Sequence, residues 1–303
     1  MTETWTVEKI LKWTTNFFAE KELDSPKLDA ELLLAHVLGI DRIKLYMQWD
    51  RPLEVEELAS YRALIKRRVQ DEPLAYITGS KAFWNLDFKS DKRALIPRSD
   101  TETLIETALE LIPDPKKVEG APQVRIVDVG AGTGCIGITI AHERPNTHVT
   151  LVDIDPDALQ LAQENVELHK MQDRVTCLQS DLLESAPGPW DLIVSNPPYV
   201  ALTEKGLMGR DVLAHEPPLA LFAGEDGLDV IRRLLEQAFV SIAPEGHVLC
   251  EVGFAQGPAV KELMESLGFE NVQIRKDYGS NDRVVVGQRV VKLNTHNLNS
   301  CEV

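Results

Sequence analysis

The sequence predicts an α/β fold, a mostly parallel seven-stranded sheet preceded by a small helical domain. Apolar runs at 124–129, 148–153, 174–179, 190–195 and 246–252 alternate with helical patterns near 135–144, 156–169, 227–240 and 258–267. Such alternation places parallel strands beneath helices on both faces. Two closing runs, near 271–275 and 283–287, follow with no long helix between them, and so pair antiparallel at one edge. The third observation is length: 303 residues exceed the usual single domain, and residues 1–78 carry helical rather than strand periodicity.

Taken in order, the first domain, 1–78, reads as short amphipathic helices. One apolar stripe holds Val7, Ile10, Leu11 and Thr14, another Leu28, Leu32, Leu33 and Ala35. Lys66-Arg67-Arg68 reads as a solvated helix face rather than a nucleic-acid patch. Residues 79–97 read as a β-hairpin connector whose strands are Phe83–Phe88 and Ala94-Leu95-Ile96. The alternating strands and helices then occupy a main domain, 98–290, and the polar residues 291–303 read as a frayed tail.

Composition narrows the function. A hydrophobic fraction of 44% with 26% charged residues is that of an ordinary soluble globular protein. The net charge is −16, of which −3 falls in the first 80 residues and −13 in the rest. That balance argues against broad phosphate-backbone binding, which needs many Lys and Arg contacts. Cys135, Cys177, Cys250 and Cys301 form no C-x-x-C pair, and the seven histidines show no ligand spacing, so neither a disulfide framework nor a metal is expected. With no basic leader and no apolar run of spanning length, a cytoplasmic protein without membrane or direct nucleic-acid partners is expected.

Asn196-Pro197-Pro198-Tyr199 follows the apolar run Leu192-Ile193-Val194 and so falls in a loop at a strand's end. Asn196 offers a side-chain carbonyl, Pro197 and Pro198 a stiff backbone presenting carbonyl oxygens, and Tyr199 an aromatic face. These groups suit a planar NH₂, in an amide or a nucleobase: two acceptors for its hydrogens and a ring to stack on. A plain Asn-Pro turn is the alternative.

The strand 124–129 runs into Gly130-Ala131-Gly132-Thr133-Gly134, where glycines allow a tight turn and close approach of a ligand. The spacing differs from G-x-G-x-x-G. Asp153, 19 residues after Gly134 at the second strand's end, is placed to bind ribose hydroxyls, while Asp155 suits the cap of a helix starting at Pro156. Asp181 and Leu182, at the end of the third strand, suit an adenine amino group and the base face, with a simple turn as the alternative. By the switch-point rule these strand ends converge on one crevice, and Asn196 closes its fourth side, so that one ligand can touch all four.

With these motifs the chain resembles the class I S-adenosylmethionine-dependent methyltransferases, and more narrowly the glutamine methyltransferases that modify peptide-chain release factors. The likeness covers nearly all of residues 1–290. It rests on Leu95-Ile96-Pro97-Arg98-Ser99-Asp100-Thr101-Glu102, Asp128-Val129 with the glycine turn, Asp153 and Ser195 to Tyr199. Glu216-Pro217-Pro218-Leu219-Ala220-Leu221 and Asp277-Tyr278-Gly279 with Arg283 complete it. Ser99 and Leu182 depart from the commoner proline and aromatic residue, and neither removes a donor or acceptor.

The resemblance implies a Rossmann-like fold and S-adenosylmethionine held by Gly130 to Gly134 and Asp153, with Asp181 and Leu182 near its adenine. It also implies that Asn196 to Tyr199 hold the glutamine of a Gly-Gly-Gln loop, and that the helical domain docks the release factor. Arg98 and Glu102 either shape the mouth of the site or brace the connector as an ion pair. Three rivals stand beside this reading. A ribosomal-protein glutamine methyltransferase and a nucleobase amino methyltransferase use the same chemistry, the second disfavoured by charge. A non-catalytic release-factor-binding protein is disfavoured by the intact motifs.

Overall fold

The computed structural model describes residues 4–291; the expected tail, 291–303, lies almost wholly outside the described residues. Five helices come first: α1 (Val7–Glu20), α2 (Pro26–Leu38), α3 (Arg42–Met47), α4 (Val55–Arg68) and α5 (Leu74–Thr78). A two-stranded hairpin, β1 (Ser80–Phe83) and β2 (Leu86–Lys89), leads to α6 (Glu102–Leu111), β3 (Val124–Val129) and α7 (Cys135–Glu143). Then follow β4 (Thr147–Asp153), α8 (Pro156–Leu168), β5 (Val175–Gln179), β6 (Trp190–Ser195) and α9 (Arg210–His215). The chain continues with α10 (Asp229–Ser241), β7 (Ile242–Glu251), α11 (Gly257–Leu267), β8 (Glu270–Lys276) and β9 (Asp282–Gln288).

The chain divides into two compact units, one running through Ser80 and including Met208–Glu216, the other comprising Lys81–Leu207 and the chain from Pro217 onward. In the first, Val7, Ile10, Leu11 and Thr14 are buried as a stripe, and Thr6 caps α1 by accepting from the Lys9 amide. The second stripe holds in part: Leu33 and Ala35 are buried as expected and Leu32 partly so, while Leu28 is exposed and Ala30 and Leu34 are buried in addition, because α2 is apolar on consecutive positions and periodicity alone does not choose its face. The basic run is also not a free solvated face. Arg68 reaches the buried Asp29 at 2.7 Å and so braces the helical core, while Arg67 makes a part-exposed local pair with Glu72 at the end of α4. His215 of α9 lies 3.3 Å from the Gln70 carbonyl in the same unit.

The second unit is a seven-stranded sheet in the order β5-β4-β3-β6-β7-β9-β8. The five strands β5, β4, β3, β6 and β7 are parallel, and β9 is antiparallel to both β7 and β8. Alternate residues feed two cores. Ile126, Leu192, Val194 and Leu249 pack with α6, α7 and α8; Val127, Val129, Ile193 and Val248 pack with α10 and α11. Burying each such side chain contributes about 1.5–3 kcal/mol. The chain leaves β3 in one direction through β4 and β5, then returns to place β6 on the other side of β3. This reversal opens a crevice at the carboxyl ends of β3 and β6.

Three expectations need correction. Ala94-Leu95-Ile96 is not a strand: both hairpin strands lie within 80–89. Ala94 and Ile96 are apolar because they are buried, Ala94 against Ala158 and Leu161, in a segment clamped by Arg93 to Asp91 and Glu164. β7 begins at Ile242, four residues before the apolar run, since its exposed Pro244-Glu245 interrupts the pattern without ending the strand. α6, absent from the alternation, buries Leu104, Ile105 and Ala108 against the sheet.

Candidate functional site

One cavity lies at the switch point, lined from the ends of β3, β4, β5 and β6. Gly130, Ala131, Gly132, Thr133, Asp153, Asp181, Leu182, Asn196 and Pro198 all face it; Gly134, Pro197 and Tyr199 are not among its lining residues. Gly134 sits below the turn as the N-cap of α7, where an added β-carbon would meet Ile138 and Leu151. Pro197 is buried, and Tyr199 lies mostly buried against the α10–α11 core.

The glycine turn is held by backbone and carboxylates. The Gly130 and Ala131 amides donate to the Val152 carbonyl, tying β3's end to β4. Gly130 has φ of +71° with open space where a β-carbon would stand, and Gly132 has φ of +54°; side chains are strained in that region. Asp153 accepts from the Gly132 amide at 2.9 Å and the Asp155 amide at 3.0 Å. Burial pushes its carboxyl up, while those amides act in the opposite direction. Each oxygen keeps a lone pair for a hydroxyl donor. Asp155 caps α8 by accepting from the Asp157 amide.

Beneath the turn, Asp128 is fully buried and accepts from Gly137 at 2.9 Å. It thereby satisfies an orphan amide in the first turn of α7, whose glycine cap has no side chain to do so. Burial raises its pKa to about 7, and Oδ1 has no hydrogen-bond partner. Asn165 is also fully buried; its amide brackets both backbone groups of Lys89 and donates to the Thr133 carbonyl, joining the hairpin and the turn to α8.

At the third strand, Asp181 lies two residues past the end of β5 and meets Arg233 of α10 at 2.8 Å. Leu182 holds φ of +51°, a conformation that costs a residue with a β-carbon about 1–2 kcal/mol. The apolar side chain is thus presented to the cavity at the expense of backbone strain.

The fourth side is the most connected. Asn196 Nδ2 donates to Thr101 Oγ1 at 3.1 Å. Thr101 is buried at the start of α6, and Glu251, the last residue of β7, is buried nearby at the foot of the same loop. The Tyr199 hydroxyl donates to Glu251 Oε1 at 3.5 Å, and the Tyr199 carbonyl accepts from Gln256. Burial raises Tyr199 to about 12 and Glu251 to about 7. Arg283, behind them, bridges Asp277 at 3.0 Å and Asp100 at 3.2 Å. Of the two residues left without a role, Arg98 lines the cavity, and Glu102 accepts from the Trp84 amide and so braces the hairpin turn.

Thr101, Asn165 and Glu251 were missed as site-building residues. Thr101 stood inside a recognised stretch and Glu251 ended a recognised strand, but nothing in their spacing marked them. The cavity therefore offers open backbone at a glycine turn, carboxylates at successive strand ends, and a carboxamide whose NH₂ is already engaged. Such a donor set fits a nucleoside at one end and a hydrogen-bond donor at the other. Among the described residues no cluster of metal-ligating side chains is found, and no helix is long and apolar enough to cross a membrane.

Residues 9–79 match the PrmC N-terminal domain and residues 111–208 the methyltransferase small domain. A release factor glutamine methyltransferase of Chlorobaculum tepidum is 40% identical over 285 residues, covering 92% of this chain and 96% of that protein. One from Geobacter sulfurreducens is 39% identical over 287 residues, covering 94% and 98%. The crystal structure of a methyltransferase from Pyrococcus furiosus aligns with a TM-score of 0.50 at 19% identity, over 69% of this chain and 91% of that one, a likeness of fold. Relatives this similar over nearly the whole length show that the chain belongs to the release factor glutamine methyltransferase family.

Proposed function

We propose that this protein methylates the side-chain amide nitrogen of the glutamine in the Gly-Gly-Gln motif of class I peptide-chain release factors, in the cytoplasm, using S-adenosylmethionine. The observation that carries the reading is the Asn196 carboxamide: its NH₂ donates to Thr101, which leaves Oδ1 as an acceptor. In this reading Gly130 to Gly134 give the cofactor close backbone approach, Asp153 accepts from ribose hydroxyls, and Asp181 with Leu182 meets the adenine. The helical unit docks a remote surface of the release factor while the second unit takes the Gly-Gly-Gln loop.

An amide nitrogen is a poor nucleophile because its lone pair is delocalised into the carbonyl. When bound, S-adenosylmethionine supplies a methyl group on a positively charged sulfur. Asn196 Oδ1 and Pro197 O each accept one N–H of the glutamine, hold the plane of its amide and favour positive charge developing on nitrogen. Tyr199 walls the same loop. Held this way, the amide nitrogen would be aligned to accept that methyl, and alignment would supply most of the acceleration, with effective molarities that reach ~10⁵ M in well-oriented systems. The methylated nitrogen is then acidic and loses its proton to water.

The test is mass spectrometry of a class I release factor incubated with this protein and S-adenosylmethionine, with ribosomal RNA and ribosomal proteins offered in parallel. One methyl on the Gly-Gly-Gln glutamine is expected. Label found in RNA or a ribosomal protein instead would overturn the substrate and keep the chemistry of the site.

A further inference from the structure

The Asn-Pro-Pro-Tyr loop is held at both ends. At its start Asn196 donates to Thr101 at 3.1 Å, and at its end the Tyr199 carbonyl accepts from Gln256 Nε2 at 2.9 Å. Gln256 is the N-cap residue of α11, and its carboxamide gathers three loops. Oε1 accepts from the Gly253 amide at 2.9 Å, closing the turn that leaves β7. Nε2 also reaches the Asp226 carbonyl at 3.4 Å, in the turn before α10. Asp226 is itself fixed, since its carboxylate accepts from the Leu228 amide and pairs with Arg232.

Two glycines make room for this clamp. A β-carbon on the buried Gly227, whose φ is +75°, would stand 2.3 Å from the Tyr199 carbonyl oxygen and 2.8 Å from Gln256 Nε2. One on Gly253 would stand 3.0 Å from Gln256 Oε1 and 3.5 Å from the Tyr199 ring. Bare backbone on both sides lets the carboxamide and the loop meet at hydrogen-bond distance. Neither Gln256 nor Tyr199 lines the cavity, so the clamp acts on the loop and not on a ligand.

The loop it holds is stiff. The rings of Pro197 and Pro198 fix φ, and Asn196 and Pro197, each preceding a proline, are confined to extended backbone. A segment with so few free torsions moves as one piece. The place of the Tyr199 carbonyl therefore sets the place of the Pro197 carbonyl and of Asn196.

We propose that Gln256 is a positioning residue for methyl transfer: by holding the Tyr199 carbonyl, it sets where the Asn196 and Pro197 oxygens meet the substrate amide. The inference rests on the function proposed above, which supplies that amide. The Oε1 bond serves a different purpose, bracing the turn ahead of α11, so mutation can separate the two halves of the carboxamide.

The experiment compares wild type with Gln256→Glu, Gln256→Ala, Gly227→Ala and Gly268→Ala in the full chain, by methyl transfer to a class I release factor, cofactor titration and urea unfolding. Gln256→Glu keeps an oxygen for the Gly253 amide and removes the donor to Tyr199. It is expected to lower kcat about 30-fold with release-factor KM and cofactor Kd within about threefold, because misplaced acceptors cost rate rather than binding. Gln256→Ala should lose as much. Gly227→Ala, which sets a β-carbon against the Tyr199 carbonyl, should repeat the loss with Gln256 in place. Gly268→Ala controls for strain: φ is +98° at the far end of α11, where a β-carbon meets Phe239. It should lose stability and keep kcat within about threefold. A Gln256→Glu kcat within threefold of wild type, a loss carried by KM or Kd instead of kcat, or an equal kcat loss in Gly268→Ala would each overturn the proposal. Should Gln256→Glu fail to fold, Gln256→Met, uncharged and of similar length, carries the same expectation.

Hydrogen exchange supplies a readout that needs no substrate. The Val200 and Leu202 amides donate to the Leu221 and Gly224 carbonyls just past the clamp, and should exchange at least about tenfold faster in Gln256→Glu than in wild type, with β6 unchanged. That pattern in a protein that methylates no release factor would sink the proposed substrate and leave the clamp intact. Unchanged exchange would sink the clamp alone.

Discussion

Two carboxylates lie under the cavity, Asp128 on β3 beneath the glycine turn and Glu251 at the end of β7 beneath Asn196. Both are fully buried, each has one oxygen without a hydrogen-bond partner, and burial raises both to about 7. Their partners differ. Asp128 accepts from a backbone amide of α7, a donor that cannot turn. Glu251 accepts from the Tyr199 hydroxyl, a donor that can turn, on the loop that carries Asn196. Equal desolvation therefore accompanies a rigid helix cap in one place and a single side-chain contact in the other. A perturbed carboxylate marks a candidate site, and what it touches decides its use.

The largest expected effect lies at the Asn196 end. Asn196→Ala should lower kcat by about 10³-fold while cofactor Kd changes less than about threefold, since the lost contact is made to the reacting nitrogen. A variant that turns over within a few-fold of wild type would erase the distinction between the two ends.

Asp128 carries the contrasting prediction, in stability. Its folded pKa of about 7 lies above the ordinary 3.8, so its contribution is complete below about pH 4 and is lost as pH rises through 7. Asp128→Asn does not titrate, and should gain on wild type by up to about 4 kcal/mol between pH 4 and pH 8 in urea unfolding. A constant stability difference across that range would break the comparison.

Smaller effects sharpen it at the cofactor end. Gly130→Val places a branched side chain at φ of +71° where open space faces the cavity, and should raise cofactor Kd about 30-fold with kcat nearly unchanged. A fall in kcat at saturating cofactor would show that the turn also shapes the transferring end. The smallest effect is expected of Arg233→Ala. Its pair with Asp181 is half exposed, so cofactor Kd measured by calorimetry should move no more than about threefold. A tenfold change would make the pair part of the binding determinant.

Much of this was legible beforehand. The alternation after residue 124 named the parallel strands, and the switch-point rule brought the glycine turn, Asp153, Asp181 and Asn196 to one cavity. α2 was legible as a helix but not as to its face, and Ala94–Ile96 was apolar for burial rather than for pairing. Arg68 looked solvated because its partner Asp29 is 39 residues away.

What the sequence determined by itself is whatever local periodicity and turn chemistry encode: strands with alternating faces, helices with apolar stripes, a glycine turn between a strand and a helix, a stiff Asn-Pro-Pro-Tyr loop. Only the tertiary structure decided how Asn196 is oriented. Thr101 and Asn196 lie 95 residues apart in the chain and meet at 3.1 Å; that contact, which turns the carboxamide NH₂ toward Thr101, is made by the packing of distant segments, which no window of sequence contains.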